Sequence, residues 1–512
     1  MVKIFESPPN ISIEQLITAL DQKAQPHIVS KVYSLKTYYD SFDWRLYRSD
    51  LICEFNRSKY GSVLTLTGLS NNETVASTTL NEVPAFAEQF NPGKIRKLLR
   101  SILQMRALSA ICTLECESYQ INLLDACEQL VLCLQIEIFD LLNTRVTLLP
   151  LKGHEKFARQ FAEFLSNDLG LTAVSQPVLL SALKLHGRQA KDYSSKLHIK
   201  LSPELDTESA SKVIFKELAR IIKANEQGVI ADTDSEYLHD FRVAVRKTRT
   251  ALKLFQPILP ESIYAAYQRY FSSLSQLTSE TRDLDIFLLN FEQYRKGLPE
   301  RLQSSLDPLM DELLTKKNTH HLQVANNLKS SDYRKTMADW ESFLNTGAAS
   351  ALSANPAIKD LADRQIWRLY QKTLKQAQSI NRSSPASDFH QLRITSKKLR
   401  YLMEFLQTLY PERKIKKAMN AAKNLQDALG AYQDASAQQM RLEHYGEALS
   451  PGIATAKTLI AIGALIQTFE ARKIAARDHY SAQFSKFVAE EVESLFENLF
   501  KPEIESSNSL QS

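Results

Sequence analysis

The chain has 512 residues, 44% of them hydrophobic, and a formal net charge of only +5. That length excludes a single core and predicts about two to four domains, while the near-balanced charge excludes a polycationic chain, so affinity for any polyanion has to come from where the cations sit. Met1 to Asn10 carries no basic stretch followed by an apolar one, and no apolar run reaches the roughly eighteen residues of a membrane span, which reads as a cytoplasmic protein without membrane contact.

In chain order, residues 1–183 read as an α+β domain, with short β-leaning runs such as SVLTLTGL and RVTLLPL broken by SNNET and by Asn91 to Gly93. All five cysteines (Cys53, Cys112, Cys116, Cys127, Cys133) fall here, an odd number without paired metal-ligand spacing, and read as buried free thiols with no metal and no cofactor. Residues 184–208 are polar and without clear period, a linker that ends in helix-capping residues between Asp206 and Ser209. Residues 209–500 show three-to-four spacing of Leu, Ala, Lys, Gln and Glu with few glycines, an all-α domain, and 501–512 read as a flexible tail.

The helical part repeats. LHDFRVAVRKTRTALKLFQPILPE aligns with FHQLRITSKKLRYLMEFLQTLYPE at a constant offset of 151 (390 − 239), which continues without a gap to place Asp283 on Asp434, so one helical unit is used twice, in halves of about 209–350 and 356–500. On the first repeated helix His239, Arg242, Arg246, Arg249 and Lys253 follow 3-4-3-4 spacing and share one stripe, apart from an apolar stripe of Phe241, Val245, Leu252 and Phe255. The second copy presents His390, Arg393, Lys397 and Arg400, with apolar residues on both flanks as in a groove lining. Only Arg400 has an acid at helical spacing, Glu404; like charges so spaced repel by roughly 0.2–0.5 kcal/mol per pair, a cost that an anion bound along the stripes would offset. Two rails of cations suit a linear polyanion: arginine offers forked donors, lysine a point charge, histidine one or two ring donors. A compact phosphate site would need a Gly-rich loop, and neither G-x-x-x-x-G-K-[ST] nor G-x-G-x-x-G occurs.

HDFRVAVRKTR, TRDLD, HQLRITSKKLRYLMEFL and LQDALGAYQD together resemble the CHAD family, the histidine-containing α-helical domain. The resemblance covers roughly residues 205–500 and implies two pseudo-symmetric helical bundles around a basic groove, with inorganic polyphosphate as the ligand class; a non-catalytic polyphosphate binder located on polyphosphate granules is the leading expectation. It places His239, Arg242, Arg246, Lys247, Arg249, His390, Arg393, Lys397, Lys398 and Arg400 against the polymer, beside Lys253 from the stripe, and gives Asp283 and Asp434 a structural role in holding basic side chains. Arg413, Lys414, Lys416, Lys417 and Lys423 form a further cluster that fits either an extension of the patch or a solvated face.

The first 175 residues resemble, more faintly, the CYTH or triphosphate-tunnel fold, through TYYDSFDWRLYRSDL and TLLPLKGHEKFARQFAEFL. Catalysis in that family needs an opening E-x-E-x-K, because paired carboxylates hold the metal. Here the chain opens MVKIFESPPNISI, and TLECES places acids where basic residues are expected, so a degenerate tunnel without catalysis is the expectation, with Asp40 and Glu82 as isolated remnants. The alternatives are a metal-dependent triphosphatase fed by the helical domain, and a nucleic-acid backbone binder, for which neither stacking aromatics nor a base-reading motif is evident.

Overall fold

The structure, a computed structural model, describes residues 3–7, 12–125, 127–346, 357–381, 384–448 and 455–502. The tail expected at 501–512 lies outside them beyond Pro502, as does the division between the repeat halves at 350–356. The chain forms two compact units, residues 1–194 and 195–512, with the boundary inside the polar stretch 184–208.

The first unit is built on β1 (Lys3–Glu6), β2 (Gln25–Asp40), β3 (Leu51–Ser58), β4 (Gly61–Gly68), β5 (Thr74–Thr79), β6 (Ser109–Leu124), β7 (Leu130–Phe139), β8 (Arg145–Pro150) and β9 (Thr172–Val174). They form one antiparallel sheet in the order β5-β4-β3-β2-β6-β7-β8-β1-β9. Strict alternation gives it two unlike faces. One is apolar: Ile121, Leu134, Ile136 and Val146 pack under α1 (Ile13–Leu20) and α4 (Glu155–Asn167), while Phe55 and Leu66 pack in the same cluster as Leu99 and Leu103 of α3 (Lys94–Leu103). The register places Ser34, Lys36, Glu54, Asn56, Gln135, Glu137, Arg145 and Glu6 on the other. Between β2 and β3, α2 (Arg45–Arg48) begins at the carboxylate of Asp40, which accepts from the backbone N–H groups of Ser41, Leu46 and Tyr47. Asp40 therefore holds this turn. Helix α5 (Val178–Leu185) packs its Leu179 and Leu183 with Tyr38, Trp44 and Cys116. All five thiols are free; Cys53, Cys112 and Cys116 are buried as expected, whereas Cys127 is exposed and Cys133 half-buried.

The second unit is helical: α6 (Thr207–Ala231), α7 (Ser235–Phe255), α8 (Glu261–Leu277), α9 (Ser279–Lys296), α10 (Glu300–Gln303), α11 (Asp307–Lys329), α12 (Ser331–Thr346), α13 (Ile358–Ser379), α14 (Ala386–Leu406), α15 (Glu412–Ala448), α16 (Ala456–Phe487) and α17 (Glu490–Phe500). Asp206 caps α6 through Ser209 N–H and Asp234 caps α7 through Glu236 and Tyr237 N–H. The offset of 151 reappears in the helix starts, Thr207 with Ile358, Ser235 with Ala386, Glu261 with Glu412. It breaks at Thr278, where α8 ends and α9 begins; the equivalent Leu429 lies inside the unbroken α15. Equivalent residues also meet, as across a two-fold axis: Asp206 and Ala357 form an isolated antiparallel bridge, and Arg246 acts electrostatically on Lys397. The predicted apolar stripe Phe241, Val245, Leu252 and Phe255 is buried, and so are both flanks of α14, with Leu392, Leu399 and Met403 on one side and Tyr401 and Phe405 on the other.

Candidate functional site

Helices α7 and α14 bring their basic stripes together near that axis. Arg246 donates from Nε to the Tyr401 hydroxyl at 2.9 Å and lies over the same ring, its guanidinium carbon 5.9 Å from the centroid. Lys397 sits among Arg393, Arg246 and Arg400. Burial, then Arg393 and Arg246, push its ammonium down to about 7, against a smaller opposing pull from Asp434. No hydrogen bond or ion pair is made by Lys397 among the described residues. The Arg393 Nε is buried without a hydrogen-bond partner, and so is the Arg249 Nε. A protein interior rarely leaves such donors unmet. The array can therefore hold an anion with several oxygens.

The pair expected at helical spacing, Arg400 with Glu404, is joined by ion pairs between helices that sequence spacing does not show. Arg400 does pair with Glu404 and donates from Nε to Gln426 at 2.7 Å. Glu404 also takes Lys247, at 2.8 Å. Lys247, expected to face the polymer, is only 7% exposed and belongs to the packing between α7 and α14. Arg393 pairs with Asp434 at 2.9 Å, and Asp283 pairs with Arg441, so each repeat acid does hold a basic side chain. Arg242 is drawn inward as well: Nη1 donates to the Ser275 carbonyl at 2.8 Å and to Thr278 Oγ1 at 2.7 Å, and Nη2 to Ser279 Oγ at 3.3 Å. Burial pulls that guanidinium down to about 10. It braces the α8–α9 break and is partly withdrawn from any ligand.

The two histidines are placed differently. His239 Nδ1 lies 3.0 Å from Arg282 Nη2 and, facing a guanidinium donor, acts as acceptor; His390 is exposed. Arg282, which also donates to the Ser235 carbonyl at 2.8 Å, was not among the expected site residues; its signal lay in TRDLD, beside Asp283. On α15 the side chains of Arg413, Lys414, Lys416, Lys417 and Lys423 are all exposed. Lys416 pairs with Glu412, and Lys423 with Asp427 at 2.8 Å, each one turn away, as on a solvated helix face.

In the first unit the polar sheet face carries carboxylates, each held by a cation. Arg145 donates from Nε and Nη2 to Glu6 Oε1 at 3.0 and 2.7 Å, and buried Lys36 pairs with Glu137 and, at 3.5 Å, with Glu54. Glu115 and Glu117 of TLECES register with Leu35 and Tyr33, on the opposite face from Lys36. Among the described residues no group of three or more His, Cys, Asp or Glu side chains could hold a metal ion, and no helix is long and apolar enough to cross a membrane.

Compared with known proteins, residues 213–443 match the CHAD domain family model. No curated protein matches the chain. Among solved structures, the CHAD domain from the plant Ricinus communis is similar at 23% identity and a TM-score of 0.49, over 56% of this chain and 95% of that one. PptA from Streptomyces chartreusis is similar at 16% and 0.44, over 55% and 100%. A Hippeastrum protein described as a putative adenylyl cyclase with a dominant triphosphatase activity is similar at 11% and 0.29, over 38% and 98%.

Proposed function

We propose that the CHAD domain of this chain, matched at residues 213–443, binds inorganic polyphosphate without chemically changing it. The observation that carries this reading is the meeting of Arg246 with Arg393, Lys397 and Arg400, cations from both halves of the repeat whose ion pairs among the described residues are those of Arg393 with Asp434 and Arg400 with Glu404. Phosphate oxygens would offset the mutual repulsion of Arg246, Arg393, Lys397 and Arg400, and a linear chain would span both helices. Such a protein fits a place on polyphosphate granules. Our reading of the first unit as non-catalytic is supported by its charge pairing, since Glu6, Glu54 and Glu137 face Arg145 or Lys36 and a metal-dependent phosphatase needs carboxylates available to the ion.

The test is titration of the full chain with long linear polyphosphate across a salt series, in competition with DNA and RNA. Binding that favours polyphosphate and weakens steeply with salt is expected, because neutralising a polyanion releases counterions. Preference for nucleic acid would replace the reading. The triphosphatase alternative is addressed by adding triphosphate with magnesium or manganese: no phosphate release is expected, and robust turnover would make the chain an enzyme.

A further inference from the structure

The two halves share an arrangement of cations but not of acids. Glu404 of α14 pairs with both Lys247 and Arg400. Shifted by the repeat offset of 151, Glu404 becomes Lys253, Lys247 becomes Lys398 and Arg400 becomes Arg249. On the other side of the axis, then, the residue that should neutralise two cations is itself a cation. Lys398 is lowered by burial and by the charges of Lys253 and Lys372, the latter on α13 where the first half has Ile221 on α6. Arg249 is lowered by burial and by Arg246, and its Nε is buried without a partner. No ion pair is made by Arg249, Lys253, Lys372 or Lys398 among the described residues.

We infer that Arg249, Lys253, Lys372 and Lys398 form a one-sided anion subsite that takes the terminal phosphate of a linear polyphosphate, so that the groove holds the polymer by its end. This rests on the polyphosphate reading above. The chemistry favours the end because a terminal phosphate carries close to two charges near neutral pH, against one for an internal phosphate, and so gains most from the acid-free side. Lysine ammoniums suit it, being point charges that need no planar geometry. Lys253 lies seven residues beyond Arg246 on one helix, roughly 10 Å at 1.5 Å per residue, so one short chain can touch both the central array and this subsite.

The experiment titrates the full chain and two variants, Lys253→Glu and an Arg246→Gln/Arg393→Gln double, with linear polyphosphate of defined short length and with the same polymer esterified at both ends. Lys253→Glu recreates the Glu404 arrangement, so it should raise Tm while weakening binding of the free-ended chain by about tenfold or more; binding of the capped chain should change far less. The double variant should weaken both. Equal weakening of both polymers by Lys253→Glu would make the cluster a mere continuation of the groove and overturn the end-binding claim. No weakening of either, with the double variant still impaired, would make it solvated surface and leave the polyphosphate reading intact. Tighter binding of a 5′-phosphorylated oligonucleotide than of either polymer would overturn both, as would wild type that binds neither. Lys372→Gln, at an exposed position, is the second variant should Lys253→Glu fail to fold, with the same preferential loss of about fivefold for the free-ended chain.

Discussion

Arg242 and Arg393 are equivalent residues with different tasks. In the first half the helix breaks at Thr278, and Arg242 is spent on Ser275, Thr278 and Ser279. In the second half the corresponding positions are Gln426, Leu429 and Gly430 on an unbroken α15, without a hydroxyl to receive the guanidinium. Arg393 lies instead beside Gly430, with Nη2 only 3.7 Å from where a Cβ would stand, and reaches Asp434, whose side chain is 71% exposed. A repeated motif thus fixes which side chain is presented, while the neighbouring helix decides whether it holds the fold together or remains for a ligand.

Reversing the second-half and axial cations should break binding outright. Arg246→Glu/Arg393→Glu/Lys397→Glu removes three charge-assisted contacts of roughly 1.5–3 kcal/mol each, so affinity for polyphosphate should fall at least about a thousandfold. Circular dichroism should show an intact helical unit; near wild-type affinity in a folded variant would sink the proposed site. Loss of Arg242, by contrast, should lower stability more than it weakens binding, because its guanidinium is engaged with Ser275, Thr278 and Ser279.

The next contrast is in stability. Arg242→Ala strips the α8–α9 break of its brace and should cost about 2–3 kcal/mol, whereas Arg393→Ala loses an ion pair to an exposed acid and should cost under about 1 kcal/mol. Chemical denaturation of the two variants compares them directly. Equal losses would mean that the halves use this arginine alike.

Acidity sharpens the comparison at the axis. Lys397 titrates near 7 in the ligand-free protein, and bound phosphate must raise that value. Affinity is then greatest below about pH 7, where the lysine is already charged, and falls as pH rises from there toward the bound-state value, by up to about tenfold per unit. The stability of the ligand-free protein moves the other way. The folded pKa is depressed below the unfolded one, so the unfolded chain binds more protons between them, and this group adds stability as pH rises through about 7. Calorimetric titration from pH 6 to 9 should show net proton uptake on binding, and Lys397→Arg should flatten the profile. The smallest effect is expected on α15, where Lys416→Gln and Lys423→Gln each remove a solvated surface pair and should leave polyphosphate affinity within about twofold.

The helical architecture was readable because α7 and α14 carry strong amphipathic patterns and repeat at one offset, down to shared starts at Ser235 and Ala386. The distribution of charge partners was less so. Glu404 is visible in sequence as the i+4 neighbour of Arg400, but its second partner, Lys247, is 157 residues away and becomes a neighbour only when α7 crosses α14. The same crossing gives Arg246 its Tyr401 hydroxyl. In the sheet, the task of Asp40 is not legible in sequence, because a lone acid at a strand end looks the same whether it binds a metal or, as here, accepts from three backbone N–H groups. Lys36 is illegible for a related reason, since a lysine within a β run gives no sign of burial between Glu137 and Glu54 until the strands are registered.

The bridge between Asp206 and Ala357 has a bearing on ancestry. Residues at the same place in two copies of a unit touch in this way when two separate, identical chains pair as a homodimer. In such a dimer a glutamate at the position of Glu404 would stand at the position of Lys253 too, because both subunits are translated from one message. Joining the copies in a single polypeptide removes that restriction. Each can then accept substitutions that the other does not share, and a binding cleft with distinguishable ends becomes available to selection.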